Sequence, residues 1–297
     1  MSRRVMGIVA SLLVVGAGRV DAGFVYGVKT LAPNPAIPGV PSQPPTRLFR
    51  FNDDGTGFAD LGAVKNSNSD IDVDGLALSS THGLLGFQLS SSGSTLIGIN
   101  TSTAVATTIG TLLAGRDIRG ATFDNLGQLW AYDATASELL RVNSTTGLVV
   151  GSGVSLSTGF SANGRTGSDI AFRPDGTFYF TVGTKIFTLD ETTGSLTELK
   201  DDTGQFLAGA AFAQDKDDGR LFVYEVNGFE DIFRYDVDSA GVPRTTVFSG
   251  IIPSFNAGRG DLATQTQVIP EPSTLVLWSL GAVGLAGLGW RRRKRAA

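Results

Sequence analysis

The segment Ile186-Phe187-Thr188-Leu189-Asp190 precedes the turn Glu191-Thr192-Thr193-Gly194. It contains an apolar pair, a spacer, an apolar residue and an Asx residue, and this pattern is the basis for predicting the fold. The pattern occurs in five copies, which end at Asn52, Asn100, Asn143, Asp190 and Asp236. These end positions are 48, 43, 47 and 46 residues apart. Because Asx side chains and Gly favour tight reversals, each copy is predicted to be a strand that ends in a turn. Such regular spacing indicates a structural repeat.

Further strands are predicted on both sides of each copy, which gives four strands per period. Strands after the turns are expected at 58–62, 107–110 and 195–199, and strands before the copies at 84–88, 128–132, 177–181 and 220–224. Before these come small apolar segments at 75–78, 120–123, 169–172 and 209–212. Four short strands in about 45 residues are typical of a β-propeller blade. The small residues suit the innermost strand, because blades crowd together near the axis.

The two ends of the array indicate a closed ring. The first unit begins at a second strand, 24–28, and its missing inner strand is found at the far end, 260–264. Joining these strands would complete one blade from both ends. We therefore predict an all-β propeller of five four-stranded blades over residues 23–267, with six blades as the alternative count. A β-sandwich would not explain a fixed period with an offset start.

Composition limits the chemistry of the chain. There is no Cys among its 297 residues, which excludes disulfides and thiolate metal sites. The two basic ends conceal an acidic middle: without residues 1–22 and 273–297, the chain has 16 basic and 27 acidic side chains, a net charge of −11. A domain with this charge should repel nucleic acid and anionic lipid. We therefore expect no nucleic-acid partner.

Residues 1–22 have the layout of a secretory signal peptide. Arg3 and Arg4 precede an apolar run that extends to Gly18, and Val20-Asp21-Ala22 places small residues before Gly23. Positive charge, an apolar region and a small-residue cleavage site form the pattern that signal peptidase recognises. The apolar run is short for a transmembrane helix, so cleavage before Gly23 is predicted rather than a permanent N-terminal anchor.

Residues 268–297 form a second targeting signal. Pro270-Glu271-Pro272 leads into the apolar segment 275–290, and Arg291-Arg292-Arg293-Lys294-Arg295 follows at once. Prolines cannot join the helix that follows them, the apolar segment can cross a bilayer, and the basic tail would stay in the cytoplasm. The segment before Pro270 is therefore placed outside the inner membrane. An ordinary tail anchor would not need Pro-Glu-Pro.

This tripartite end resembles the PEP-CTERM sorting signal. The resemblance implies that an exosortase, a membrane cysteine protease, recognises Pro270, Glu271 and Pro272 and releases the protein. The family is typical of Gram-negative bacteria that produce exopolysaccharide, which implies a biofilm or envelope role. The resemblance covers about the last 28 residues and says nothing about the propeller. The overall pattern is more distantly similar to lactonase-like propellers, on strand patterning alone.

Candidate ligand-binding residues gather before the inner strands. Arg119, Arg165 and Arg259 precede three of these strands, and Asp117, Asp169 and Asp261 lie nearby. In a propeller they would surround one mouth of the central channel, where they could grip a polar ligand such as a sugar acid. Internal salt bridges that order the loops are the competing interpretation. His82 is the only histidine, which leaves little material for a Ser-His-Asp triad or a multi-histidine zinc site.

Asp70, Asp72 and Asp74 alternate like the first half of an EF-hand calcium loop, with Gly75 at the sixth position. The twelfth position is Thr81 rather than the bidentate Glu that the loop requires. Calcium at these three carboxylates is therefore a minority hypothesis beside an acidic surface turn. No other cofactor is predicted.

These observations favour an exported protein of the cell envelope, outer surface or extracellular space, anchored transiently in the inner membrane by its C-terminal helix. Its propeller is expected to be a non-catalytic binding or structural module, with exopolysaccharide as a candidate partner and exosortase and signal peptidase as processing partners. A metal-dependent hydrolase or lyase at the channel mouth is the alternative. A purely structural surface-layer component, which would self-associate, is the third interpretation.

The mature protein is expected to begin at Gly23 and to end near Pro272, because both targeting signals would be removed. Intact-mass analysis of cell, envelope and medium fractions from the producing bacterium measures this directly. A species that retains residues 275–297 would contradict removal of the sorting tail.

Overall fold

The computed structural model describes residues 23–31, 46–157, 168–203, 207–212, 220–225, 231–249 and 257–265. Within these ranges the regular structure consists of β-strands, with no helix. The strands form five sheets.

The first sheet is built from both ends of the described chain. Its strands are β1 (Phe24–Leu31), β2 (Arg47–Asn52), β3 (Ala59–Ala63) and β23 (Ala257–Thr264). They lie in the order β23-β1-β2-β3, and β1 pairs antiparallel with β23 from Val25–Thr264 to Leu31–Ala257. The sequence prediction that the last inner strand completes the first blade is confirmed.

The second sheet is larger than the others. Its seven strands are β4 (Lys65–Asn66), β5 (Ser69–Asp70), β6 (Asp72–Ser79), β7 (Gly83–Ser90), β8 (Gly93–Ile99), β9 (Val105–Thr108) and β10 (Leu113–Ala114). The meander β6-β7-β8-β9 corresponds to the repeat, β4 adds in parallel to β9, and β10 pairs with β8. The extra hairpin β4–β5 turns through Ser67 and Asn68 at φ 50° and 68°, as a two-residue hairpin requires.

The remaining sheets are regular four-stranded meanders. The third contains β11 (Ile118–Phe123), β12 (Leu129–Asp133), β13 (Glu138–Val142) and β14 (Val154–Ser155). The fourth contains β15 (Ser168–Phe172), β16 (Phe178–Val182), β17 (Lys185–Leu189) and β18 (Leu196–Asp201). The fifth contains β19 (Leu207–Phe212), β20 (Arg220–Glu225), β21 (Ile232–Asp236) and β22 (Arg244–Phe248).

The sheets form a closed propeller ring through their inner strands. In ring order these are β6, β11, β15, β19 and β23, each packed beside the next, and β23 packs beside β6. Five apolar cores fill the spaces between neighbouring sheets. Aromatic pairs cross three of these interfaces edge to face: Phe51 with Phe222, Tyr132 with Phe180, and Tyr179 with Phe212. Each sheet thus buries both faces against its neighbours.

The blade count needs one correction. Four sheets are regular four-stranded blades, whereas the second has seven strands, so the prediction of five four-stranded blades is wrong at that sheet. A sixth sheet is not found among the described residues. The additional strands β4, β5 and β10 have two residues each and lie outside the repeating meander. Strands this short show no alternation of apolar and polar residues, so the sequence did not reveal them.

The chain enters and leaves the described propeller on one face. Gln265 follows β23 and makes a parallel bridge to Leu78 at the end of β6, while Gly23 precedes β1. We call this the exit face. The inner strands begin on the opposite face, called here the mouth.

Five residues, one from each inner strand, lie at the same height along the propeller axis and limit how closely the inner strands approach one another. The residues at this level are Gly75, Gly120, Asp169, Gly209 and Asp261, each followed by an apolar residue. A Cβ at Gly120 would lie 2.5 Å from Asp169 Oδ1 and 2.6 Å from its Cα. A Cβ at Gly209 would lie 2.7 Å from Asp261 Cα. The glycines therefore make room for two aspartates on the axis.

We expect Gly120→Ala to lower the free energy of unfolding by about 3 kcal/mol, because the added methyl meets rigid backbone on the axis. Gly98→Ala is the matched control, since its Cβ would find Ile109 Cδ1 at 3.4 Å, an ordinary contact. Its effect is expected to be less than about 1 kcal/mol. Urea denaturation of the full chain in detergent micelles, followed by circular dichroism, compares the two. Equal effects would contradict the crowding at Gly120.

Candidate functional site: the mouth and the carboxyl pair beneath it

The mouth holds a cleft of about 440 Å³ between the second and third sheets. Its wall is formed mainly by turns that connect β7 to β8, β10 to β11, and β12 to β13. The polar residues that line it are Asp72, Ser90, Ser91, Arg116, Asp117 and Thr135. Hydroxyl and carboxylate groups of this kind hydrogen-bond polar ligands.

Arg119 is buried and bonded to Asp117, one of the residues that line this cleft. Its Nε and Nη2 donate to the two carboxylate oxygens of Asp117 at 2.7 Å and 2.6 Å, and Asp74 Oδ2 lies 3.9 Å from its Nη1. Only 7% of the Arg119 side chain is exposed. Burial alone would lower the pKa of Arg119, but the bonds to Asp117 and the charge of Asp74 raise it overall. The guanidinium therefore stays charged.

Arg116 forms the rim of the cleft and is likewise paired. Its Nη1 donates to Asp133 Oδ2 at 2.8 Å and to Glu138 Oε2 at 3.2 Å. The buried Asp133 also accepts the Asp117 N–H at 3.1 Å through Oδ1, and Ser94 Oγ donates to the Arg116 carbonyl at 3.0 Å. These bonds hold the loop before β11 in place, so the cleft is largely preformed.

Beneath the mouth, Asp169 and Asp261 form a carboxyl pair on the axis. Both are fully buried, and their carboxyl groups share a hydrogen bond. Asp169 Oδ1 and Oδ2 also accept the N–H groups of Ile170 at 2.6 Å and Ala210 at 2.5 Å. Asp261 accepts the N–H of Leu262 at 2.6 Å and that of Leu76. Each aspartate thereby ties its own strand to the next inner strand.

Burial raises the pKa of both aspartates well above the usual value. The neighbouring charge of Asp169 raises the pKa of Asp261 further, and so does their shared hydrogen bond, whereas the same bond lowers the pKa of Asp169. The pair therefore retains one proton, which lies between the two carboxyl groups. Two carboxyl groups this close cannot both ionise without a large energetic cost.

The structure brings only part of the predicted ligand set to the mouth. Asp117 lines the cleft and binds the buried Arg119, but Asp169 and Asp261 do not reach solvent. Arg165 lies outside the described residues, and Arg259 is in β23, where only its backbone is described. The residues that sequence reasoning missed are Arg116, Asp133 and Ser94. When the repeats are aligned, the same position of each inner strand holds either Gly or Asp. That restriction to two residue types is a signal that could have located the axial pair.

The three carboxylates of the calcium hypothesis lie in strands rather than in a turning loop. Asp70 ends β5 and is exposed, whereas Asp72 and Asp74 are in β6. Asp72 Oδ1 accepts the Thr46 hydroxyl at 3.3 Å. Across the described residues, no group of three or more His, Cys, Asp or Glu side chains is arranged to hold a metal ion. Calcium at this position stays a prediction.

His82 lies in the turn between β6 and β7, as expected. Its ring stacks on Phe123 at 5.9 Å and its Nε2 is 3.2 Å from Ser144 Oγ. It thus joins the second and third sheets.

Comparison with protein families identifies the C-terminal segment. Residues 268–294 match the model of the PEP-CTERM protein-sorting motif. The chain carries a PEP-CTERM sorting motif. The match contains Pro270, Glu271 and Pro272 and four of the five basic residues of the tail. This motif implies that the protein is exported, that a membrane anchors it transiently, and that an exosortase processes it. No curated protein matches the chain.

The chain is similar in fold to several solved structures at low sequence identity. A chain of the nidogen/laminin complex is 8% identical, with a TM-score of 0.50 over 81% of this chain and 98% of that one. Virginiamycin B lyase from Staphylococcus aureus is 19% identical, with a TM-score of 0.41 over 71% of this chain. The chain covers 65% of that lyase. A gluconolactonase from Xanthomonas campestris is 16% identical, with a TM-score of 0.42 over 59% of this chain and 62% of that one.

None of the described residues forms a helix that could cross a membrane. The predicted transmembrane segment 275–290, the motif residues and the basic tail lie outside the described ranges.

The axial pair predicts a specific pH dependence. Above about pH 4 an unfolded aspartate loses its proton, whereas the folded pair retains one, so the contribution of the pair to stability falls as the pH rises towards the raised folded pKa. Asp261→Asn keeps a donor toward Asp169 and removes one of the two titrating groups. It also removes the acceptor of one backbone N–H, a loss that does not depend on pH. Relative to the variant, the wild-type chain should lose up to about 1.4 kcal/mol per pH unit above pH 4. Urea denaturation between pH 4 and pH 8 tests this, and a difference that is constant across this range would contradict it.

Proposed function

We propose that the propeller is a non-catalytic module that binds a neutral, hydroxyl-rich polysaccharide at the mouth. The preformed cleft of about 440 Å³, walled by hydroxyl and carboxylate groups, is the observation that carries this proposal. Sugar hydroxyls can donate to Asp72 and Asp117 and can accept from Ser90, Ser91 and Thr135. Export by the sorting motif brings such a module to the compartment in which exopolysaccharide is found.

The charge of the mouth favours a neutral ligand over the sugar acid considered from the sequence. Asp72 and Asp117 line the cleft, while both guanidinium groups in and beneath it are already paired with carboxylates. Among the described residues that line the cleft, Arg116 is the one cation, and its pairing with Asp133 and Glu138 leaves it less able to bind an anionic sugar. A neutral chain avoids repulsion by Asp72 and Asp117 and retains the hydrogen bonds.

A binding role is also favoured over catalysis by the place of the most perturbed acids. Asp169 and Asp261 have strongly raised pKa values, which often marks a catalytic acid. Both side chains, however, are fully buried and bonded to backbone N–H groups of the inner strands. Their contacts to the inner strands indicate a structural role rather than contact with a ligand in the cleft.

Ser91→Trp is expected to weaken binding of a neutral glucan oligosaccharide at least tenfold. Ser91 is exposed on the wall of the cleft, so the indole can fill the space without entering the core. Thr192→Trp, on an exposed turn of the exit face, is the matched control and should bind like the wild-type chain. Isothermal titration of the full chain in detergent micelles measures both, with a uronic-acid oligosaccharide as the anionic comparison.

The remaining outcomes of that experiment are distinct. Equal binding by both variants, or preference for the uronic acid, would overturn the mouth as a neutral-sugar site. Release of reducing ends that stops on addition of a chelator would favour the metal-dependent hydrolase. Concentration-dependent self-association without glycan binding would favour the structural surface component.

A further inference from the structure

Gly23, the first described residue, is held by a reciprocal pair of hydrogen bonds. Its backbone N–H donates to Asp53 Oδ2 at 3.1 Å, and the Asp53 N–H donates to the Gly23 carbonyl at 2.9 Å. Asp53 is buried, with 8% of its surface exposed. A buried carboxylate is therefore aimed at the backbone nitrogen that signal peptidase is predicted to release.

The pair lies at the end of the ladder that closes the ring. Gly23 directly precedes β1, whose first residue, Phe24, is opposite Asn52 in β2. On its other side β1 pairs with β23, the strand from the far end of the propeller. Whatever strengthens the contact between Gly23 and Asp53 therefore strengthens the sheet in which the two ends of the propeller meet.

We infer that cleavage before Gly23 creates an ammonium group that forms an ion pair with Asp53, so that processing itself stabilises the closing sheet. Hydrolysis adds water across the Ala22–Gly23 peptide bond, which leaves a carboxyl group on Ala22 and an amine on Gly23. With an ordinary pKa of about 7.7–8.0, an α-amine is protonated at neutral pH. The inference uses the predicted cleavage position and does not depend on glycan binding.

Cleavage would change the charge of the Gly23 nitrogen and the number of hydrogen bonds that it can donate. A peptide N–H is a single neutral donor, whereas an ammonium is a cation with three donors. Hydrogen bonds between ionised partners are shorter than neutral ones and about twice as strong. Because Asp53 is already buried and bonded to the Gly23 carbonyl through its own N–H, little ordering remains to oppose the new pair, and solvent screens it weakly.

Asp54 provides a matched control one residue away. Its carboxylate is exposed and accepts the N–H and hydroxyl of Thr56 at 2.9 Å and 2.7 Å. Removing its charge changes the local field to a similar extent without touching Gly23. A coupling that involves Asp53 but not Asp54 would therefore report the ion pair itself.

The experiment compares three forms of the chain that ends at Ala297, in detergent micelles: one beginning at Gly23, one beginning at Ala22, and one with acetylated Gly23. The free Gly23 form should melt at least about 3 °C above the other two. Asp53→Asn should abolish this difference, whereas Asp54→Asn should leave it intact. The Gly23 amine should also react several-fold more slowly with acetic anhydride at pH 7 than the amine of the Asp53→Asn variant.

Melting temperatures that do not depend on the N-terminal form would overturn the inference, as would an equal loss of the difference in both aspartate variants. N-terminal sequencing of protein from the envelope fraction provides an independent check. A mature chain that begins at a residue other than Gly23 would also overturn it.

Discussion

The fold depends on two aspartates that share a proton at the centre of the ring. Burying a carboxyl group is costly unless its oxygens are hydrogen-bonded and its charge is neutralised. Here Asp169 and Asp261 neutralise each other through one proton and accept four backbone N–H groups. Those bonds reach β19 and β6, so the pair links four of the five inner strands: β15, β19, β23 and β6. These directional hydrogen bonds fix the position of one inner strand along the axis relative to the next. Apolar packing between the sheets does not specify that alignment by itself.

The glycines at the same level follow from that arrangement. A Cβ at Gly120 would meet the Asp169 carboxylate and backbone, and a Cβ at Gly209 would meet the backbone of Asp261. The two aspartates therefore fit on the axis because the neighbouring strands carry glycine at these two positions. Between this level and the exit face, small residues such as Ala121, Ala171 and Ala211 line the axis and leave a void of only about 10 Å³. Close packing there makes the propeller a solid core with a cleft at the mouth rather than an open pore.

Much of this architecture could be predicted from sequence, because a repeated strand pattern reports the same backbone geometry several times. Strand positions, the inner strand of small residues and closure by 260–264 were all visible in the spacing of apolar and turn residues. The enlarged second sheet was not, since strands of two residues such as Leu113–Ala114 carry no periodicity. Asp169 and Asp261 were expected at the mouth because charge usually marks exposure. Only three-dimensional packing shows that each carboxyl group finds its partners on other strands.

The place where the chain leaves the propeller also determines how the domain is presented before processing. Gln265 lies on the exit face, opposite the mouth, and nine residues separate it from the apolar segment that starts at Leu275. Nine residues span at most about 30 Å, so an anchor in the predicted segment would hold the exit face near the bilayer. Because the tether would leave from the exit face, the cleft at the mouth lies on the side of the propeller opposite the attachment point. On the proposed function, a polysaccharide outside the membrane would then reach the cleft before an exosortase releases the protein.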